Sequence, residues 1–351
     1  MTPFTEQKER PVAPQKIHVG YSLFVPPHLT ENKQSHDHLW PLIIQDALQL
    51  APKDYPSHFE LQYEQPYNSG YWQALVEPVR AYVGEKTTIG LHSPSLNPTI
   101  HDLGNHNAGV RERAVQETVD ALQFAVAAGC NEYVLHLTPF DEFGGQSARE
   151  RQRTHAMESL RSISQKVGGE PGVRILIENL EYPKWPSTTE ETIQLMQQIN
   201  DEKLFDDVGV CLDFAHLWHN TVSLLPHVED REKFAEDAQK FVREVGAVSP
   251  IYRIHLAGAY VNFIGDNHQT HAVPGMNPLR AGDPRQYFAQ PPEGFQGLWM
   301  SIDDALRAVK DIHNPQNDIS FVIEAHSPDP LLLQGSAQAV RDRLEIISAE
   351  Q

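Results

Sequence analysis

Short, β-branched apolar runs alternate with longer stretches of helical periodicity along most of the chain. Strands are expected at Ile17–Ser22, Phe59–Glu64, Thr87–His92, Glu132–His136, Arg174–Glu178, Val208–Asp213, Ile251–His255 and Ile319–Glu324. Helical patterns fall between them, among others at Leu39–Leu50, Gly109–Ala128, Thr189–Ile199, Arg231–Val245, Ile302–Ile312 and Ser336–Ile347. Ser187 or Thr188 before Glu190-Glu191, and Ser301 before Asp303-Asp304, are start signals; Gly129 after Ala127-Ala128 is a stop. Most strand-to-strand spacings suit a βα unit of ~30 residues or a little more. The stretch from His255 to Glu324 runs roughly 27 residues beyond the others, and reads as a long insertion after strand seven. Eight such units predict an α/β fold, a single-domain (β/α)₈ TIM barrel over residues 16–351, behind a polar, Pro-rich leader at 1–15. An open doubly wound sheet is the competitor, but Gly20-Tyr21-Ser22-Leu23 is not the Gly-rich phosphate turn such a sheet carries after its first strand.

Composition agrees with a folded chain: 40% hydrophobic and 21% charged residues are globular values, not disordered ones. The net charge of −19 repels phosphate backbones at long range and argues against a nucleic-acid partner. No apolar run reaches the ~20 residues of a membrane span, and the leader has no hydrophobic core of a signal peptide. Cys130 and Cys211 both lie in apolar runs and are expected as buried free thiols in a reducing cytoplasm. A homo-oligomer is compatible with all of this.

The chemistry gathers at the strand ends, where a barrel of this type builds its site. Strands three to eight end in His92, His136, Glu178, Asp213, His255 and Glu324, each behind an apolar run. Six consecutive strands closing on an imidazole or a carboxylate form a ligand set for Zn²⁺, Mn²⁺, Fe²⁺ or Co²⁺. A ring of unpaired carboxylates would repel itself, and divalent cations would neutralise it. Cys211-Leu212-Asp213-Phe214-Ala215-His216 adds a second His, able to share the cavity if a helical turn starts at the strand end; His219 reads as a supporting or surface residue. After strand seven, Asp266-Asn267-His268 and His271 precede a Pro274-Gly275 turn.

These motifs resemble the xylose-isomerase-like TIM barrel superfamily, which includes sugar and sugar-phosphate isomerases and epimerases and the type IV apurinic endonucleases. The resemblance rests on His92-Ser93-Pro94 with Leu96-Asn97, His136, Ile177-Glu178-Asn179, Cys211-Leu212-Asp213-x-x-His216, His255-Leu256 and Ile323-Glu324. It implies one divalent metal on Glu178, Asp213, His255 and Glu324. The endonuclease branch and trinuclear-iron relatives imply further ligands at His92, His136, His216 and an Asp-x-His pair, so one to three ions per chain. Asp266 and His268 have the Asp-x-His spacing, whereas His271 keeps the usual distance to Pro-Gly but puts Gln269 in the Asp position. Ketose epimerases carry a second Glu after the strand-five Glu-Asn; here Glu181 stands closer than usual, and Lys184 and Trp185 follow it.

The expectation is a divalent-metal isomerase, epimerase or related lyase acting on a sugar-like or polyol small molecule. Glu178 and Glu324 would move the carbon-bound proton, and His216 would hold a hydroxyl. Glu181, Lys184, Trp185 and Arg280 are the candidate substrate contacts. The alternative is a multinuclear-metal phosphoester hydrolase of the endonuclease IV type, or a multinuclear-iron enzyme. The insertion after strand seven, with Pro274–Arg280 and Tyr287–Pro292, is expected to act as a lid that sets substrate choice.

Overall fold

The computed structural model of the chain describes residues 16–24, 57–62, 87–94, 101–139, 145–221, 228–260, 269–272, 302–310, 312, 318–324 and 330–349. Its strands are β1 (Lys16–Phe24), β2 (Ser57–Gln62), β3 (Thr87–His92), β4 (Glu132–Leu135), β5 (Thr138–Pro139), β6 (Arg174–Glu178), β7 (Lys184–Trp185), β8 (Val208–Asp213), β9 (Ile251–Leu256), β10 (Gly258–Tyr260), β11 (Gln269–Ala272) and β12 (Asp318–Ile323). Eight of these close into a barrel in the order β1-β12-β9-β8-β6-β4-β3-β2. Every pairing in it is parallel, and β1 completes the circle against both β12 and β2. The predicted (β/α)₈ barrel is therefore the fold, and the doubly wound alternative falls because the sheet has no edge.

The described helices are α1 (Ala108–Ala128), α2 (Gly145–Val167), α3 (Thr189–Glu202), α4 (Phe214–Thr221), α5 (Val228–Gly246), α6 (Ile302–Val309) and α7 (Pro330–Ala349). Their apolar faces and the outward residues of the strands form one continuous core, in which Phe59, Leu91, Tyr133, Ile177, Leu212, Ile254 and Phe321 meet Leu122, Leu160, Met196, Phe241 and Val340. Local signals explain several ends. Thr188 accepts from the Glu191 backbone N–H at 3.1 Å, and the Glu191 carboxylate takes the Ser187 N–H at 2.9 Å, so this helix start is doubly capped. Gly129 caps α1 at its C-terminus. The helix expected at Leu39–Leu50 and Ser301 lie outside the described residues.

Two strand details differ from the sequence expectation. The second strand spans Ser57–Gln62, not Phe59–Glu64, because Phe59 and Leu61 are its outward apolar residues and His58 and Glu60 point the other way, into the barrel. On β9, Val210 pairs with Ile251 but Cys211 pairs with Arg253, so β9 holds one extra residue, Tyr252, in a bulge. Tyr252 joins Val134, Leu176 and Cys211 in a small apolar cluster separate from the main core. Both cysteines are buried and free, as expected. No described helix is long and apolar enough to cross a membrane.

Candidate metal centre

Period-two alternation decides what the barrel interior contains. On β6 the residues Arg174, Leu176 and Glu178 share a face; on β8, Cys211 and Asp213; on β9, Arg253 and His255. The last of each set stands at the C-terminal mouth, together with Glu324 just past β12. Ligand atoms from Glu178, Asp213, His255 and Glu324 all lie within 4.8 Å of one another, and all four residues are buried. His255 Nδ1 is 3.0 Å from Glu324 Oε2, 3.3 Å from Glu178 Oε1 and 3.9 Å from Asp213 Oδ2. One ring nitrogen facing three carboxylates has at most one N–H to give them. A divalent cation suits that surplus of buried negative donors, so the residues present fit a metal.

A second group adjoins the first through Glu178. His92, His136 and Glu178 also offer ligand atoms within 4.8 Å of one another. Glu178 Oε2 lies 3.2 Å from His92 Nε2 and 2.9 Å from His136 Nε2, while its Oε1 faces His255. His92 Nδ1 donates to the Ser93 carbonyl at 2.6 Å, which fixes the ring and turns Nε2 inward.

Asp213 is held by its neighbours on both sides. Asn179 accepts the Asp213 N–H at 2.8 Å and donates to the Asp213 carbonyl at 2.9 Å, locking the ends of β6 and β8 together. Asp213 Oδ1 accepts the backbone N–H of His216 at 2.7 Å, so α4 starts directly off the strand. That start carries His216 into the cavity: its Nδ1 donates to the Asn179 carbonyl at 2.9 Å and its Nε2 faces Glu181 Oε2 at 3.0 Å.

Charge is strongly redistributed. Burial opposes ionising Glu178, but His255 and His136 hold it well below the carboxylate range. Burial likewise opposes protonating His255, and the neighbouring Cys211 with the Glu60, Glu324 and Glu178 carboxylates overcomes it and raises the imidazole well above its ordinary value. His92 is pushed up to about 9 by Glu60, Glu178 and Glu324 against the same burial penalty. In His136 burial wins over Glu178 and lowers it to about 4. Glu181, despite burial, is brought down to about 2 by His216 and Lys184.

Of the residues singled out from the sequence, His92, His136, Glu178, Asp213, His216, His255 and Glu324 converge. Glu181 and Lys184 form an ion pair at the mouth beside His216. Trp185 is 4% exposed and packs into the main core, where β7 pairs with β5. His271 lies on β11, which pairs antiparallel with β10. Asp266, His268, Arg280 and the rest of the expected lid lie outside the described residues. Sequence reasoning missed three buried charges inside the barrel, Glu60, Glu132 and Arg253. Arg253 stands two residues before His255, so period two was the available signal there, whereas the alternation of Glu60 with Phe59 and Leu61 equally fits a strand with one face in water.

A parallel, closed eight-stranded barrel with its polar cluster at the C-terminal mouth defines a TIM-barrel site. The family model for xylose isomerase-like TIM barrels matches residues 57–290, and the chain belongs to that family. Similar solved structures include a D-tagatose 3-epimerase-like protein, with 16% identity over 95% of this chain and 99% of that one and a TM-score of 0.58. An L-ribulose 3-epimerase shares 12% identity over 95% and 96%, at a TM-score of 0.58. The 3-keto-D-glucoside 4-epimerase of E. coli shares 16% over 95% and 99%, at 0.52. Among curated protein sequences there is no match.

Proposed function

We propose that the protein is a divalent-metal-dependent isomerase or epimerase acting on a sugar-like or polyol small molecule. The carrying observation is the four-residue group of Glu178, Asp213, His255 and Glu324 at the mouth of a barrel of this family. The three similar structures named above are epimerases or an epimerase-like protein, which supports the same class. When bound, a divalent cation supplies the positive charge that polarises adjacent oxygens of the substrate. Glu178 ends β6 and Glu324 follows β12, with β8 and β9 between them, so their carboxylates would reach a bound substrate from different sides. One would take the proton from the hydroxyl-bearing carbon next to the substrate carbonyl, and the other would return a proton to the opposite face of that carbon or to the former carbonyl carbon. His216, anchored on Asn179, and the Glu181–Lys184 pair hold hydroxyl groups at the rim. Glu178 has one oxygen toward His255 and the other toward His92 and His136, which suits a bridging role if a second ion binds.

The test is isotope exchange. Metal-loaded protein incubated with a panel of ketoses and polyol ketones in D₂O should place deuterium on the recovered carbon, and Glu324→Gln should lose turnover by about 10²–10⁴-fold. Turnover of a panel member without exchange rules out the proton-transfer mechanism. Elemental analysis of the same sample gives the ions per chain.

A further inference from the structure

Beneath the carboxylate ring the barrel interior is charged. Arg253 is fully buried, and its guanidinium pairs with Glu60 through Nη1 and with Glu132 through Nη2. Glu132 also accepts from Arg174 Nη1 at 2.8 Å, and Arg174 Nε reaches Asp207 at 3.1 Å. Charges of alternating sign thus run from Asp207 up through the barrel. The last of them, Glu60, touches the metal group: Glu60 Oε2 lies 3.1 Å from His255 Nε2. Room for this arrangement is built in at Gly90, where a Cβ would stand 2.7 and 2.9 Å from the two terminal nitrogens of Arg253.

Buried ion pairs are a poor source of stability, since apolar packing of equal volume commonly does as well or better. A structural role alone therefore accounts badly for two carboxylates and a guanidinium at the barrel axis. A neutral imidazole, on the other hand, has one N–H and one lone pair, and the partner of the N–H decides which nitrogen is left to ligate.

We propose that Glu60 is a positioning residue for His255, clamped in turn by Arg253. It accepts the His255 Nε2–H, sets the plane of the ring, and leaves Nδ1 as the ligating atom toward Glu178, Asp213 and Glu324. This rests on the metal reading above and adds to it the residues that orient one ligand.

Glu60→Gln and Glu132→Gln separate this role from a structural one, because both remove a carboxylate from Arg253 but only Glu60 meets His255. With Zn²⁺ as the probe and calorimetry as the readout, Glu60→Gln should weaken binding by about 10–100-fold, while Glu132→Gln stays within about twofold. Both variants should lose thermal stability. Equal weakening in the two, or full affinity in Glu60→Gln, overturns the proposal. Should Glu60→Gln fail to fold, the wild-type protein answers the question: ¹⁵N NMR of the Zn²⁺-loaded, histidine-labelled chain should show His255 protonated at Nε2 and metallated at Nδ1. Zinc on Nε2 overturns it. Failure of the underlying reading looks different: the wild-type chain would bind no Zn²⁺, or Asp213→Ala would bind it unchanged.

Discussion

His92 and His136 meet edge to face, with ring centroids 4.6 Å apart, and both touch the same oxygen of Glu178, yet their basicities diverge. His92 faces three carboxylates and is raised to about 9, whereas His136 is lowered to about 4 by burial with Glu178 as its main counterweight. The divergence has a sign in stability. The raised His92 stabilises the metal-free fold fully below its ordinary 6.5, and that contribution is lost as pH climbs through about 9. The lowered His136 acts oppositely: below 6.5 the unfolded chain takes up a proton the native one refuses, and stability falls toward about 4. Metal-free protein in chelator should therefore have its highest Tm between these limbs, near pH 6.5, read by thermal melts at spaced pH values. A Tm rising steadily to alkaline pH contradicts this. The same residues mark how far the sequence reaches. His92, His136, Glu178, Asp213, His255 and Glu324 were legible because each ends an apolar run. Glu60 was not, because its polar–apolar alternation is the pattern of a strand with one face in water, and here the polar face lines a barrel.

At the scale of elements, the seam between β1 and β2 leaves no room for a side chain at Gly20. A Cβ on Gly20 would fall 1.4 Å from the carbonyl oxygen of His58, so only glycine lets these strands approach. Gly20→Ala requires the backbone of β2 to move and should cost more than the ~1–3 kcal/mol of ordinary overpacking. Urea unfolding compared with Val19→Ala, which merely leaves a small cavity on the outward face of the same strand, measures the difference. Equal losses in the two would show that the seam yields. Strand and helix existence was readable from periodicity and caps, but β5, β7, β10 and β11 were not. These short pieces carry no period of their own. They exist because loops at the barrel mouth pair with each other, as Thr138 does with Trp185 and Gly258 with Ala272.

For the whole molecule, part of the acidic excess behind the net charge of −19 is internal, with Glu60, Glu132, Glu178, Asp213 and Glu324 buried along the barrel. Contacts that assemble this interior are distant in the chain: Glu60 and Arg253 are 193 positions apart, and Glu60 and His255 are 195. Closing such long loops is entropically expensive and comes late relative to local structure. The buried carboxylate–imidazole cluster is thus expected to assemble with barrel closure and not before it. On the proposed metal-dependent reading, Zn²⁺ should slow unfolding by binding the native chain and leave the refolding rate unchanged. Stopped-flow refolding with and without the ion reads both limbs, and acceleration of refolding by Zn²⁺ would place the cluster in the transition state. On the metal-dependent reading, closure comes first and ion loading second, so the chain folds with its interior carboxylates compensated by protons and by Arg253 and Arg174.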